Sequence, residues 1–295
     1  MRFTVSFAFT VLATPALATP NVVVDIAPLH GLVSEVMAGV AAPVLLLPPQ
    51  ADAHSYALRP SDAQTLSDAD LVIWVGEGLT PWLADPLTTL AVDASKLEML
   101  DTDGWAAREI DDAHDDDHGA HDHGAVDPHA WMDPQVASVW VGHIAAQLSQ
   151  ADPENAQAYL ANAATLQAEL DLIRIEITAQ LAQFAARPLI WPHDAYGYFQ
   201  DAFELTALGA ISEVDAAAAG PKHIADLRDI VLSQGVVCVL SDPEVNPRWS
   251  TILREGTDAK AAMIDGIGAD VPTGLGQYQT LITNLTDNIA GCLTP

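Results

Sequence analysis

DPENAQAYLANAATLQAELDLIRIEITAQLAQF, Asp152 to Phe184, is the stretch on which the reading of this 295-residue chain turns, because no Gly or Pro occurs between Pro153 and Pro188. Within it Tyr159, Ala163, Leu166, Leu170, Ile173, Ile177, Leu181 and Phe184 recur every three or four residues, which stacks apolar side chains on one helical face. Asp152 followed by Pro153 is a helix-start signal, a capping carboxylate before the residue already set for the first turn. At about 1.5 Å per residue the segment predicts a rod of roughly 45 to 50 Å, long enough to cross a whole molecule. Residues 152–187 are therefore read as a rigid connector between two lobes.

Working outward, both flanks carry short Val-, Ile- and Leu-rich runs separated by amphipathic segments, the alternation expected of parallel βαβ units. Upstream, over 19–151, strands are predicted at Val22 to Ile26, Val44 to Leu47 and Leu71 to Val75. Pro28 to Met37 reads as a helix, Ser61 as the cap of a short one, and Asp133-Pro134 as the start of another reaching about Gln150. Thr80 to Leu100 mixes helix and strand pieces. Downstream, over 188–295, strands are predicted at Leu189 to Trp191, Leu205 to Ile211, Val236 to Leu240 and Ala261 to Ile264. Helices are expected around Tyr196 to Ala202, after Gly220-Pro221, and from about Leu275 to Ile289. The fold class is α/β: two Rossmann-like lobes with parallel sheets, joined by one long helix, with a cleft between them.

Half of the residues are hydrophobic and 17% charged, enough apolar material for a buried core. A net charge of −29 argues against nucleic acid and anionic membranes as partners and favours cations. Met1-Arg2, the apolar run Phe3 to Leu12, Pro15 and Ala16-Leu17-Ala18 read as a secretory signal peptide, residues 1–18, cut after Ala18. The run is shorter than the ~20 residues a membrane-spanning helix needs. The mature chain is expected in an oxidising extracytoplasmic space, a bacterial periplasm for this signal type. There the two cysteines, Cys238 and Cys292, are expected to form a disulfide.

The densest chemical signal is DDAHDDDHGAHDHG, Asp111 to Gly124, with six Asp and four His (His114, His118, His121 and His123) and no large apolar side chain. It cannot be part of a packed core, and reads as a flexible loop. Imidazole mixed with carboxylate suits divalent metals such as Zn²⁺, whereas a solvated acidic spacer needs no His. Because the ordering entropy opposes binding, the loop is expected to supply secondary, weaker metal sites. Three other His lie where predicted strands end or a helix starts. His54 follows Val44 to Leu47 by one Pro-rich turn, His193 follows Leu189 to Trp191 through Pro192, and His129 precedes the Asp133-Pro134 start. Asp265 directly follows Ala261 to Ile264. Ligands of open α/β sheets gather beyond the carboxyl ends of the strands, so these four form the candidate metal site. Any one alone would read as an ordinary hydrogen-bonded side chain or a cap. His30, His143 and His223 fall in or at the start of amphipathic helices and are assigned structural or surface roles.

Four quoted stretches carry a resemblance: DAHSYALRPSD (52–62), DPHAWMDP (127–134), HDAYGYF (193–199) and the His/Asp tract. Through them essentially the whole mature chain resembles the zinc-binding ZnuA-type proteins of the ZnuA/TroA group, the metal-specific solute-binding components of ABC transporters. The resemblance implies Zn²⁺ ligands at His54, His129 and His193, with Asp265 at the position of a conditional fourth ligand. It also implies zinc over manganese, since related manganese binders tend to place a carboxylate where this chain has His193. The implied partner is the permease of a zinc importer, with a periplasmic zinc metallochaperone as a further candidate; a monomer is expected. A zinc buffer or chaperone without a transporter is one alternative. A secreted zinc hydrolase is another, but the spacing of His121, His123, Asp127 and His129 differs from H-x-H-x-D-H, and the sequence has no H-E-x-x-H or G-x-S-x-G.

Overall fold

The computed structural model describes residues 19–110, 126–212 and 219–295. The expected signal peptide and the whole His/Asp tract, with His114, His118, His121 and His123, lie outside the described residues. In the first lobe β1 (Val22–Val24), β2 (Val44–Leu45), β3 (Leu71–Trp74) and β4 (Ser95–Glu98) form a parallel sheet in the order β2-β1-β3-β4. In the second, β5 (Leu189–His193), β6 (Ala207–Ser212), β7 (Cys238–Ser241) and β8 (Lys260–Met263) repeat that order as β6-β5-β7-β8, again all parallel. Each sheet therefore grows outward on one side of its first strand and then on the other. The crevice where the direction reverses lies between β1 and β3 in one lobe and between β5 and β7 in the other.

The first sheet carries α1 (Ala27–Val36), α2 (Pro60–Ser67), α3 (Pro81–Thr89) and α4 (Pro134–Ala151). The second carries α6 (Gly197–Ala202), α7 (Pro221–Ser233), α8 (Arg248–Arg254) and α9 (Gln277–Leu293). The central strands β1, β3, β5 and β7 are buried along their whole length, whereas β4 and β8 carry exposed residues, as befits sheet edges. One continuous apolar core runs from Val24, Leu29 and Ile73 through Trp140 and Leu170 to Trp191, Leu240 and Leu285, so the lobes are not separately packed bodies.

Between them runs α5 (Ala156–Leu181), followed by a 3₁₀ turn at Ala182–Phe184. Its 26 residues span ~39 Å, shorter than the sequence predicts. Asp152 ends α4 instead of starting α5: its carboxylate accepts hydrogen bonds from Asn155 Nδ2 (2.7 Å) and Tyr159 Oη (2.8 Å), bracing the turn between the two helices. Ser61 is likewise inside α2. Pro60 takes the first helical position, which moves the cap back to Arg59, whose N–H donates to Asp62 Oδ2 at 2.8 Å. The Asp133 cap of α4 is as expected, with Gln135 N–H donating to Asp133 Oδ1 at 2.8 Å.

Candidate metal centre

His193 is the last residue of β5, at the carboxyl end of the second lobe's crevice, and Asp242 directly follows β7 across from it. The His193 Nδ1 lies 2.8 Å from Asp242 Oδ2, both side chains being almost fully buried. That bond fixes the proton on Nδ1 and leaves the Nε2 lone pair facing the cleft. Burial pushes the His193 pKa down, but the bond to Asp242 and the neighbouring carboxylates outweigh it and raise the pKa above the ordinary imidazole value.

His129 caps a 3₁₀ turn, Ala130–Met132, and is buried. Asp127, fully buried two residues earlier, accepts from both the backbone N–H (3.0 Å) and Nδ1 (2.9 Å) of His129. The other oxygen of Asp127 pairs with Arg108 Nη1 at 3.0 Å, so the carboxylate serves the imidazole and a cation at once. Burial lowers the His129 pKa, against the opposing pull of Asp127. His54 sits half-buried on the loop between β2 and α2. Its N–H donates to Asp52 Oδ1 (2.8 Å), and Trp82 Nε1 on α3 ties the loop down by donating to Ala53 O (2.8 Å).

The three imidazoles converge. The Nε2 atoms of His54 and His129 are 3.3 Å apart, and a ligand atom from each of His54, His129 and His193 lies within 4.8 Å of the others. The Nε2 of His193 is buried without a hydrogen-bond partner. Three imidazoles this close can hold one divalent cation between them, and neutral imidazole is a ligand for Zn²⁺ and its neighbours. The pocket is a small cavity of about 30 Å³, walled by Leu79, Trp131, Met132 and Tyr196.

Asp265 lines the same pocket but is not drawn into the three-imidazole cluster. Its Oδ1 accepts the N–H groups of Ile267 (2.9 Å) and Gly268 (2.8 Å), and its Oδ2 that of Ala269 (2.7 Å), so it shapes the loop after β8. That loop is pressed against the His129 turn: Trp131 Nε1 donates to Gly266 O at 2.9 Å, and a Cβ at Gly266 would collide with the Met132 methyl. The sequence reading names Asp127 within its motif but not its hold on His129, and does not single out Asp242 or Glu244. Glu244 Oε2 lies 3.4 Å from His193 Nε2, and His193, Asp242 and Glu244 form a second group of mutually close ligand atoms. Asp242-Pro243-Glu244 follows a strand just as His193 does, but 40 acidic residues give two such carboxylates no prominence. His30, His143 and His223 stay outside the centre, their Nε2 atoms on the backbone carbonyls of Pro43, Asp103 and Ala210.

Two parallel α/β lobes around converging imidazoles, two of them buried, define a metal-binding protein of the two-lobed solute-binding class. The family described as ZnuA, zinc-uptake complex component A, periplasmic, matches residues 22–292, and the chain belongs to it. It is 33% identical over 308 residues to the high-affinity zinc uptake system protein ZnuA of Brucella suis biovar 1 (strain 1330), covering 93% of this chain and 92% of that one. The protein of the same name from Paracoccus denitrificans (strain Pd 1222) is 34% identical over 315 residues, covering 95% and 94%. The fold is shared with the periplasmic zinc-binding protein TroA of Treponema pallidum, at a TM-score of 0.82 and 20% identity over 94% of this chain and all of that one.

Proposed function

We propose that the chain captures Zn²⁺ in the periplasm on His54, His129 and His193 and delivers it to the permease of an ABC importer. The observation that carries the reading is the convergence of three imidazoles, two of them held by buried carboxylates that orient Nε2 toward a common point. Membership of the zinc-uptake family and relatives named for high-affinity zinc uptake support zinc as the cargo and an importer as the destination. An all-imidazole triad is also the donor set that favours Zn²⁺ over Mn²⁺, which prefers oxygen. The same features support a binding role over the hydrolase alternative: the carboxylates nearest the imidazoles, Asp127 and Asp242, are hydrogen-bonded to them, so neither is placed as a free general base. Monomeric action, cleavage after Ala18, and loading by a metallochaperone belong to this proposal as well.

Metal analysis and chelator competition on the purified mature chain test it. One tightly held Zn²⁺ that Mn²⁺ does not displace is expected; preferential retention of Mn²⁺ would overturn the assignment. Repeated at falling pH, the titration should show weakening below about pH 6, as protons compete for the imidazoles.

A further inference from the structure

We propose that Arg108 is a positioning residue of the metal centre: its guanidinium grips the carboxylate that orients His129 in the first lobe and the residues that follow His193 in the second, holding ligands from opposite lobes in register. This rests on the reading of the three imidazoles as zinc ligands.

The surroundings of one guanidinium carry the argument. Asp127 is fully buried and uses both oxygens: Oδ1 accepts from the N–H and Nδ1 of His129, and Oδ2 from Arg108 Nη1 at 3.0 Å. The tie between the two residues is double, because Asp127 N–H donates to Arg108 O at 2.8 Å. From the same side chain, Nη1 lies 3.9 Å from Asp194 Oδ1 and Nε lies 3.5 Å from Asp201 Oδ2, both in the second lobe. Asp194 is the residue after His193, and Asp201 lies on α6. The backbone joins in as well, with Arg108 N–H donating to Tyr198 Oη at 2.8 Å. One residue thus reaches the support of one imidazole and the chain that continues from another, while standing outside the residues that wall the imidazole pocket.

Charge and space both mark the contact as specific. The chain has 11 Lys and Arg against 40 Asp and Glu, and three of those carboxylates share this cation. Without it Asp127 Oδ2 would be a buried charge with no counter-ion, and the carboxylate would gain by turning toward other donors at the expense of His129 Nδ1. A planar guanidinium can serve several carboxylates at once, where an ammonium is a single point charge. The guanidinium also lies against Gly197, the first residue of α6, where a Cβ would collide with its Cζ, Nη1 and Nε. A glycine at that position is what lets the first lobe's cation settle on the second lobe's helix.

The test uses the full mature chain and its Arg108→Gln, Arg108→Lys, Gly197→Ala and Asp127→Asn variants, with the Arg108→Gln/Asp127→Asn pair, each checked for folding by circular dichroism. Chelator competition gives the Zn²⁺ affinity, and the visible spectrum of the Co²⁺-loaded protein reports the geometry of the ligands. Arg108→Gln is expected to lower Zn²⁺ affinity on the order of 10- to 100-fold, the range for losing a partner outside the coordination sphere, and to shift the cobalt bands. Arg108→Lys, which keeps a charge opposite Asp127, should recover part of the affinity and return the bands toward those of wild type. Gly197→Ala, which removes no polar group, should give a smaller loss in the same direction, and it decides the matter together with Arg108→Lys should Arg108→Gln not fold. Because Arg108 acts through Asp127, the losses in the paired variant should fall short of the sum of the single ones. Wild-type affinity and bands in Arg108→Gln would overturn the proposal. So would additive losses in the pair, or equal losses in Arg108→Gln and Arg108→Lys with the bands unmoved, the pattern of an ion pair that only steadies the fold. Wild-type behaviour in Gly197→Ala would overturn the link to the second lobe. Failure of the wild-type chain to hold Zn²⁺ would instead sink the three-imidazole reading, and it shows in the same titration before any variant is made.

Discussion

The two lobes have the same strand order, yet their crevices are used in opposite ways. In the second lobe the crevice between β5 and β7 holds His193 and Asp242, and its imidazole looks into the cleft. In the first lobe the matching crevice between β1 and β3 is closed by Asp25, fully buried, which accepts the N–H groups of Ile26 (2.8 Å) and Val75 (2.9 Å). Burial raises the Asp25 pKa to about 7, with the backbone bonds pulling it back down. A sealed crevice cannot offer a ligand, so the first lobe supplies His54 from the loop after β2 and His129 from the turn before α4. Topology thus creates two equivalent places for a ligand, and side-chain chemistry decides which becomes a site. The second lobe holds its imidazole on a strand; the first holds at least His54 on a loop.

The largest effect expected from that difference is at the ligands. His193→Ala should weaken Zn²⁺ binding on the order of 1000-fold, ~4 kcal/mol, because it removes a buried, oriented donor and takes the imidazole from Asp242 Oδ2. His54→Ala should lose less, since its position is half-buried and water can take the vacated place. Competition titrations of both variants decide it, and a heavier loss at His54 would break the contrast between strand-held and loop-held ligands.

Next in size is the disulfide. Cys238 on β7 is bonded to Cys292 on α9, 54 residues on, and both are described as the sequence reading expected. Closing a loop of that length stabilises a fold by about 4 kcal/mol at most in the chain-entropy model. Paired Cys238→Ser and Cys292→Ser substitution should lower the denaturant midpoint while leaving one Zn²⁺ per chain. An unchanged midpoint would mean that the rigidity of the second lobe owes nothing to the bridge.

The smallest effect on affinity is expected from the tract upstream of His129. Deleting residues 111–124 should leave the equilibrium competition titration unchanged and slow zinc loading in stopped-flow, if its four His concentrate ions near the first lobe. Lost affinity would show that the tract donates a primary ligand.

What could be read from the sequence follows burial. Central strands such as Leu71–Trp74 are apolar on both faces and announce themselves. The edge strand Ser95–Glu98 has the sequence SKLE, with no apolar run, and α3 begins at Pro81 and contains Pro86, which is why Thr80 to Leu100 resisted division. Arg248–Arg254 was missed because its seven residues follow Asn246-Pro247 without a sustained apolar period. The imidazole ligands stood out because His is rare and fell at strand ends. The carboxylates that orient them did not, since a hydrogen bond between Asp242 and His193 across 49 positions leaves no local signature. Asp265 showed the right position, but its commitment to three backbone N–H groups is visible only in three dimensions.

The final helix has a mechanical consequence. A beam held at a single joint can swing, and α5 alone would let one lobe swing on the other. But α9 adds a second brace from the second lobe to the first: Tyr278 Oη donates to Trp131 O at 2.7 Å, and Gly276 N–H at its start donates to Glu35 Oε1 on α1 at 2.7 Å. It is also pinned to the connecting beam itself, where Gln180 Nε2 donates to Asp287 Oδ1 at 2.9 Å. A frame fastened at two points has a short throw, yielding by slight twist where a hinged jaw would gape. The second lobe is thus tied to the first by two helices, the connecting beam and the strut of α9, and a load on one is shared by the other.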